Sequence, residues 1–409
     1  MTQNHPDHMI IGEQWSDLRK YRDMPEIDFD RLYAYRIERL REQMRQRGVG
    51  MTMLVNPISL RYAAEYRTYA LFQSHIPTTY VFVPVEGPLV INAAYGATAV
   101  VEDVRPGRPL HYFDGGEDLA ELAEALADDI EAYLSEIGDT SRRVALEYVN
   151  PSLTRALDSR GLDVVDGVQV SEAARVIKNV DEVNCIKWAC AVAQLGIAKV
   201  EEALRPGVTE VQLWALLNYT NLANNGDWHD GRMLASGDRI NPWLQEASQR
   251  VIEDGDLVGF DTDMVGPMGY FADISRTIHC GPSEPTKRQK ELYRLAVNEV
   301  EHNMALLKPG LGLHAFRDLC LPMDPAFQTN AYSCLLHGVG MCDEYPQVKH
   351  PWRTQVYDGT FEAGMVVCVE SYCGRVGERD GVKLEQQVLI TDDGYELLSD
   401  YPWDERLLG

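Results

Sequence analysis

The stretch LVGFDTDMVGPMGYFADISRT, residues 257–277, decides the reading of this chain. Leu257, Val258 and Phe260 lead into Asp261 and Asp263, and beyond a turn at 266–269 Asp273 lies between Phe271 and Ile274. This pattern predicts a buried hairpin in which Asp261 and Asp263 alternate along one strand and share a face. A hairpin of that length returns Asp273 beside them. A lone acid on a strand usually marks a solvated face, whereas several carboxylates held away from water need a cation to coexist. Metal ligation is therefore the reading.

Working outward, three further residues fit the same chemistry. His337 stands in LLHGVG (335–340), where a strand runs into glycines that allow close backbone approach. Glu370 in VVCVESY (366–372) and Glu385 in VKLEQQV (382–388) each interrupt an apolar β-like run, where an unpaired carboxylate is costly. One imidazole and several carboxylates gathered by a fold can hold two divalent metals that share a bridging oxygen. A nitrogen-plus-oxygen donor set suits manganese, iron or zinc, and does not choose among them.

The bulk properties set limits. At 409 residues the chain exceeds one typical core, so two domains or one large α/β unit is expected. The net charge of −25 argues against nucleic acid, which needs a basic face; its simplest cause is solubility or growth in salt, and its field favours cationic or zwitterionic small molecules over anions. No apolar stretch is long enough to span a membrane. The first residues, MTQNHPDHMIIGEQWSD, lack the pattern of a secretory signal. All eight cysteines fall after residue 180 without a metal-binding pair spacing, which points to reduced thiols and a cytoplasmic location.

Element signals alternate between helix and strand. Helices are expected at 29–47, 117–136, 171–203 and 286–307, with a capping-box start at Thr209. Strands are expected at 51–55, around a turn in 78–91, at 142–149, and across the acidic hairpin. The fold class is α/β in two domains, 1–165 and 166–409, with the chemistry confined to the second.

These residues carry a resemblance. The order Asp, Asp, His, Glu, Glu, the segment from Gly269 to Thr277, and HGVG at 337–340 resemble the creatinase/prolidase/methionine-aminopeptidase superfamily, whose catalytic domain has the pita-bread fold. The likeness covers about 170–400, and the first half is similar in broad pattern to the N-terminal domain of creatinases and prolidases. It implies a homodimer with the site in the C-terminal domain and the partner's N-terminal domain nearby.

Three departures from the peptidase members stand out. Those members place a histidine soon after a Ser-Gly turn, but Ser236-Gly237 is followed by DRINPWLQEASQRV. They carry HGxGxxxHExP, whereas this chain has HGVGMCDEYP, so Asp343 stands where a second imidazole would. Asp261 and Asp273 are twelve apart rather than eleven, which makes Asp263 a third candidate aspartate.

FDTD, NPW and HGVGMCDEYP are similar to the dimethylsulfoniopropionate lyases built on this fold. That resemblance implies cleavage of a sulfonium zwitterion to dimethyl sulfide and acrylate. It casts Asp343 as general base, Tyr332 as a second catalytic residue lining the substrate pocket, and Asp261, Asp263, Asp273, His337, Glu370 and Glu385 as ligands of two divalent metals. Aromatic faces attract a sulfonium cation, so Trp243, with Phe72 or Tyr69 from the first half, are candidate walls. Ordinary core packing is the competing account of these aromatics, and a pairing with Arg353 competes for Asp343. Two other functions remain open: a metallohydrolase of the same fold acting on Xaa-Pro peptides or a small amide or amidine, and a non-catalytic binding module.

Overall fold

The computed structural model describes residues 24–93 and 98–409; the N-terminal stretch read for a signal lies outside them. The chain divides into two compact units, Asp28–Arg175 and Val176–Gly409, the latter joined by the described residues 24–27.

The first unit is built on a six-stranded mixed sheet in the order 103–105, 90–92, 80–84, 51–54, 143–146, 163–166. Met51–Leu54 lies at its middle and is buried throughout, as its apolar run predicts. Asn56 ends that strand and caps the helix Pro57–Ala64, accepting from the Ile58 N–H at 2.9 Å. Helix Phe29–Arg47 stops at Gly48, whose φ of +64° suits glycine. Helix Leu119–Glu136 packs Leu126, Ala127 and Ile130 into the core with Val144 and Leu153.

The second unit holds a five-stranded antiparallel sheet in the order 343–348, 336–339, 366–374, 381–390, 395–397, and two small three-stranded sheets. Helix Lys287–Ala305 packs on strands 366–374 and 381–390, burying Leu292, Tyr293, Ala296 and Val300 among Val367, Val369 and Val388. The helix expected over 171–203 is two helices, Val168–Arg175 and Val180–Ala203. Asn179 makes the break: its side chain and Glu182 form a reciprocal capping box that starts the second helix. The capping box at Thr209 is present as expected, opening Glu210–Ala223.

No helix among the described residues is long and apolar enough to cross a membrane. All eight cysteines are free thiols.

Candidate metal centre

The acidic hairpin forms, but not by simple alternation along one strand. Strand Leu257–Phe260 ends before Asp261, and a short strand, Met264–Val265, pairs with Phe271–Ala272. Between them Asp263 takes a φ of +36°, so a left-handed kink rather than strand alternation brings its carboxylate to Asp261. Thr262 clasps the two arms: its hydroxyl donates to Ala272 O at 2.7 Å and accepts from the Ile274 N–H at 3.0 Å. Carboxylate oxygens of Asp261, Asp263 and Asp273 then lie within 4.8 Å of one another.

The long sheet supplies the other half. Glu370 and Glu385 are directly opposite each other on neighbouring antiparallel strands, and His337 is opposite Cys368. Two like charges facing across a ladder destabilise it unless a cation intervenes. His337 Nε2 is 3.3 Å from Glu370 Oε1, 3.5 Å from Asp273 Oδ2 and 3.8 Å from Glu385 Oε1. Its Nδ1 edge faces Gly338 O at 3.1 Å and Asp343 Oδ1 at 3.4 Å. Arg353 bonds to Ala331 O instead. The glycines matter here: a side chain at Gly338 would strike Tyr345 O, and one at Gly340 the Glu344 carboxylate.

Sequence reasoning missed a central cation. Lys383, wholly buried, sends its Nζ to Glu370 Oε2 at 2.6 Å, Asp261 Oδ2 at 3.1 Å and Glu385 Oε2 at 3.3 Å, and to the Ser275 hydroxyl at 2.5 Å. Lys383 precedes Glu385 by two on the same strand, so period-two alternation put the signal in plain sight. Cys368 was also overlooked; its sulfur shares a potential ligand cluster with Asp273, His337 and Glu385.

The electrostatics record a site short of positive charge. Burial, reinforced by neighbouring carboxylates, pushes Asp263, Asp273 and Glu385 well above the ordinary carboxylate range. Burial also raises Asp261, yet the Lys383 ammonium at its other oxygen outweighs it and holds that residue low. His337 and Lys383 show the inverse: burial disfavours their charge, but the acids around them drive both well up. Asp261 Oδ1, Asp273 Oδ1 and Glu385 Oε1 are buried with no hydrogen-bond partner among the described residues. Orphaned buried oxygens beside a histidine fit a hard divalent cation.

Crowding at its base and repulsion from Glu370, Asp261 and Glu344 raise the Asp343 pKa, an effect that water screens because 68% of the side chain is open. Tyr332 borders the cluster, but Lys383 lies over its ring at 4.5 Å and claims that face. Trp243 is a core residue, 6% exposed and packed on Tyr372, although Lys383 stands 5.9 Å from its ring. Tyr69 and Phe72 belong to the first unit; Tyr69 is largely exposed, and Phe72 packs edge-on against Phe113. His229 is tied to Thr262 O at 2.6 Å, and His350 stacks on Trp352 with burial pulling its pKa to about 4.

The sequence matches two family profiles, Creatinase/Prolidase N-terminal domain over residues 36–183 and Metallopeptidase family M24 over 184–392. It is 34% identical over 395 residues to dimethylsulfoniopropionate lyase DddP of Roseovarius nubinhibens, covering 93% of this chain and 89% of that one. It is 34% identical over 417 residues to the DddP of Roseobacter denitrificans, covering 99% and 92%. Among solved structures, an Xaa-Pro dipeptidase from Bacillus anthracis superposes with a TM-score of 0.70 at 22% identity, over 90% of this chain and 98% of that one, which shows the shared fold. The M24 match over the half of the chain that carries the acid cluster makes this a family of divalent-metal proteins. The chain therefore belongs to metallopeptidase family M24, on the branch of the DddP dimethylsulfoniopropionate lyases.

Proposed function

We propose that the chain is a metal-dependent carbon–sulfur lyase that cleaves dimethylsulfoniopropionate to dimethyl sulfide and acrylate. The observation that carries this reading is Asp343, a carboxylate where the peptidase pattern has an imidazole, placed against His337 at the edge of the acid cluster. Asp261, Asp263, Asp273, His337, Glu370 and Glu385 would hold two divalent ions, of manganese, iron or zinc. When bound, such ions stabilise the negative charge that develops on a carboxylate as the adjacent carbon loses its proton.

The remaining chemistry belongs to the chain. Asp343 takes the proton from the carbon next to the substrate carboxylate. The electron pair left behind forms the carbon–carbon double bond, and the carbon–sulfur bond breaks with its pair leaving on sulfur. Its open side chain lets Asp343 meet the substrate carbon from outside the ligand cluster, the placement a general base needs. Tyr332, whose ring face is taken by Lys383, is the proposed pocket residue beside Asp343. A homodimer in the cytoplasm is the proposed working form, with Tyr69 and Phe72 as candidate substrate contacts.

A hydrolase would need a proton donor for the leaving nitrogen. Neither 238–251 nor 343 supplies an imidazole, so the Xaa-Pro peptidase reading is second. Headspace gas chromatography over purified, metal-loaded protein and dimethylsulfoniopropionate tests the proposal. Chelator-sensitive dimethyl sulfide release supports it. Its absence, from protein shown to hold metal and to cleave an Xaa-Pro dipeptide, would replace it with the hydrolase.

A further inference from the structure

We propose that Lys178 is a positioning residue for Asp343, acting through Glu344; the inference rests on reading Asp343 as the base. Lys178 Nζ donates to Glu344 Oε2 at 2.8 Å, and both side chains are sealed from solvent, at 1% and 0% exposure. The other oxygen, Glu344 Oε1, accepts the Met341 N–H at 3.0 Å. A single carboxylate therefore ties position 341 to position 344 and closes the turn from which Asp343 emerges.

The hairpin register sharpens this. Val339 is opposite Asp343 and Gly338 opposite Glu344, so residues 340–342 form the turn and Asp343 opens the return strand. The turn is wrapped onto the carboxylate so tightly that a methyl group at Gly340 would come 2.4 Å from Glu344 Oε2. Lys178 is anchored in turn: its N–H donates to Gly364 O at 2.9 Å, and the next residue, Asn179, caps a long helix. The ammonium thus links a rigid helix start to a loop whose next side chain, Asp343, is mostly in solvent.

A stabilising role alone does not explain the pair. Replacing a buried ion pair with apolar residues is often neutral or favourable, but no apolar side chain could accept the Met341 N–H. The pair fixes the path of the turn, and with it the position of Asp343 against the proton it must reach.

The test is steady-state dimethyl sulfide release by the full-length, metal-loaded protein. Lys178→Met should lower kcat by about 10- to 100-fold, the cost of a small misplacement of a reacting group. KM should stay within a factor of about three, as for loss of an interaction that acts only in the transition state. Metal content by mass spectrometry should match wild type, and Lys178→Arg should restore most of kcat. Should Lys178→Met not fold, Lys178→Met/Glu344→Gln removes the buried charge and keeps an oxygen for Met341. The same kcat loss is expected there. Wild-type kcat in whichever of these variants folds would overturn the proposal. Asp343→Asn separates the two ideas: an active Asp343→Asn sinks the base reading, whereas an inactive one beside an active Lys178→Met sinks only the role of Lys178.

Discussion

Asp343 Oδ1 stands 3.4 Å from His337 Nδ1, on the opposite edge of the imidazole from Asp273, Glu370 and Glu385 at Nε2. The ring separates two kinds of carboxylate, those arranged to hold a cation and one left open to solvent. A histidine that ligates through one nitrogen is oriented and made more basic by whatever accepts from the other. Gly338 O shares that task at 3.1 Å, so Asp343 is not needed to fix the ring.

Asp343→Asn should therefore cut dimethyl sulfide release by about 100- to 10,000-fold, the range for removing a general base. Metal content and melting temperature should stay close to wild type. Elemental analysis alongside the rate assay checks both.

His337→Ala should lose metal, because it removes the one nitrogen donor among oxygen ligands. Retention of the wild-type metal content in this variant would show that the ligands lie elsewhere. Asp263→Asn is the finer probe: weaker metal binding in a chelator competition is expected, with the protein still folded.

Lys383→Met should destabilise the chelator-treated protein by about 3–5 kcal/mol, since it leaves buried carboxylates without their cation. Divalent metal should recover much of that loss, because it neutralises the same oxygens. Calorimetric melting with and without saturating manganese or zinc measures the difference.

Glu299, behind the strand that carries Glu370, offers a pH test at a residue that is not itself a proposed ligand. Its carboxyl is buried on helix Lys287–Ala305, accepts from the Ser371 hydroxyl at 2.6 Å, and is pushed up to about 7 by burial. A raised folded-state pKa means the native protein binds the proton more tightly than the unfolded chain. Stability from this group is full below the ordinary carboxylate value and is lost as pH rises to about 7, a span worth about 3 kcal/mol. Glu299→Gln should flatten that fall and be more stable than wild type at pH 8 in urea titrations.

The site was legible wherever an acid or histidine interrupted an apolar strand, as at Glu370, Glu385 and His337, because burial makes such residues conspicuous. The acidic hairpin was foreseen, but the geometry of Asp263 was not: its backbone torsion is set by the closure of two short strands, which no local pattern encodes. Lys383 escaped because a search for ligands passes over cations, although its two-residue spacing from Glu385 placed it on the same face. The aromatics were least legible. Whether Trp243 lines a pocket or fills a core depends on Tyr372 and Ile240, brought to it by distant segments. The break at Asn179 shows the limit for helices: a capping box written in sequence was read through as continuous helix.

The left-handed torsion at Asp263 has an evolutionary consequence. Glycine occupies that backbone region without a Cβ penalty, and either glycine or asparagine there removes one of several mutually repelling buried carboxylates. A screen of this chain for heat resistance would therefore be drawn to position 263, and the variants it returned would be more robust proteins with one carboxylate fewer. With Asp263 in its proposed ligand role, robustness and catalysis would be in competition at a single codon, and selection on turnover rather than on folding would keep the acid there.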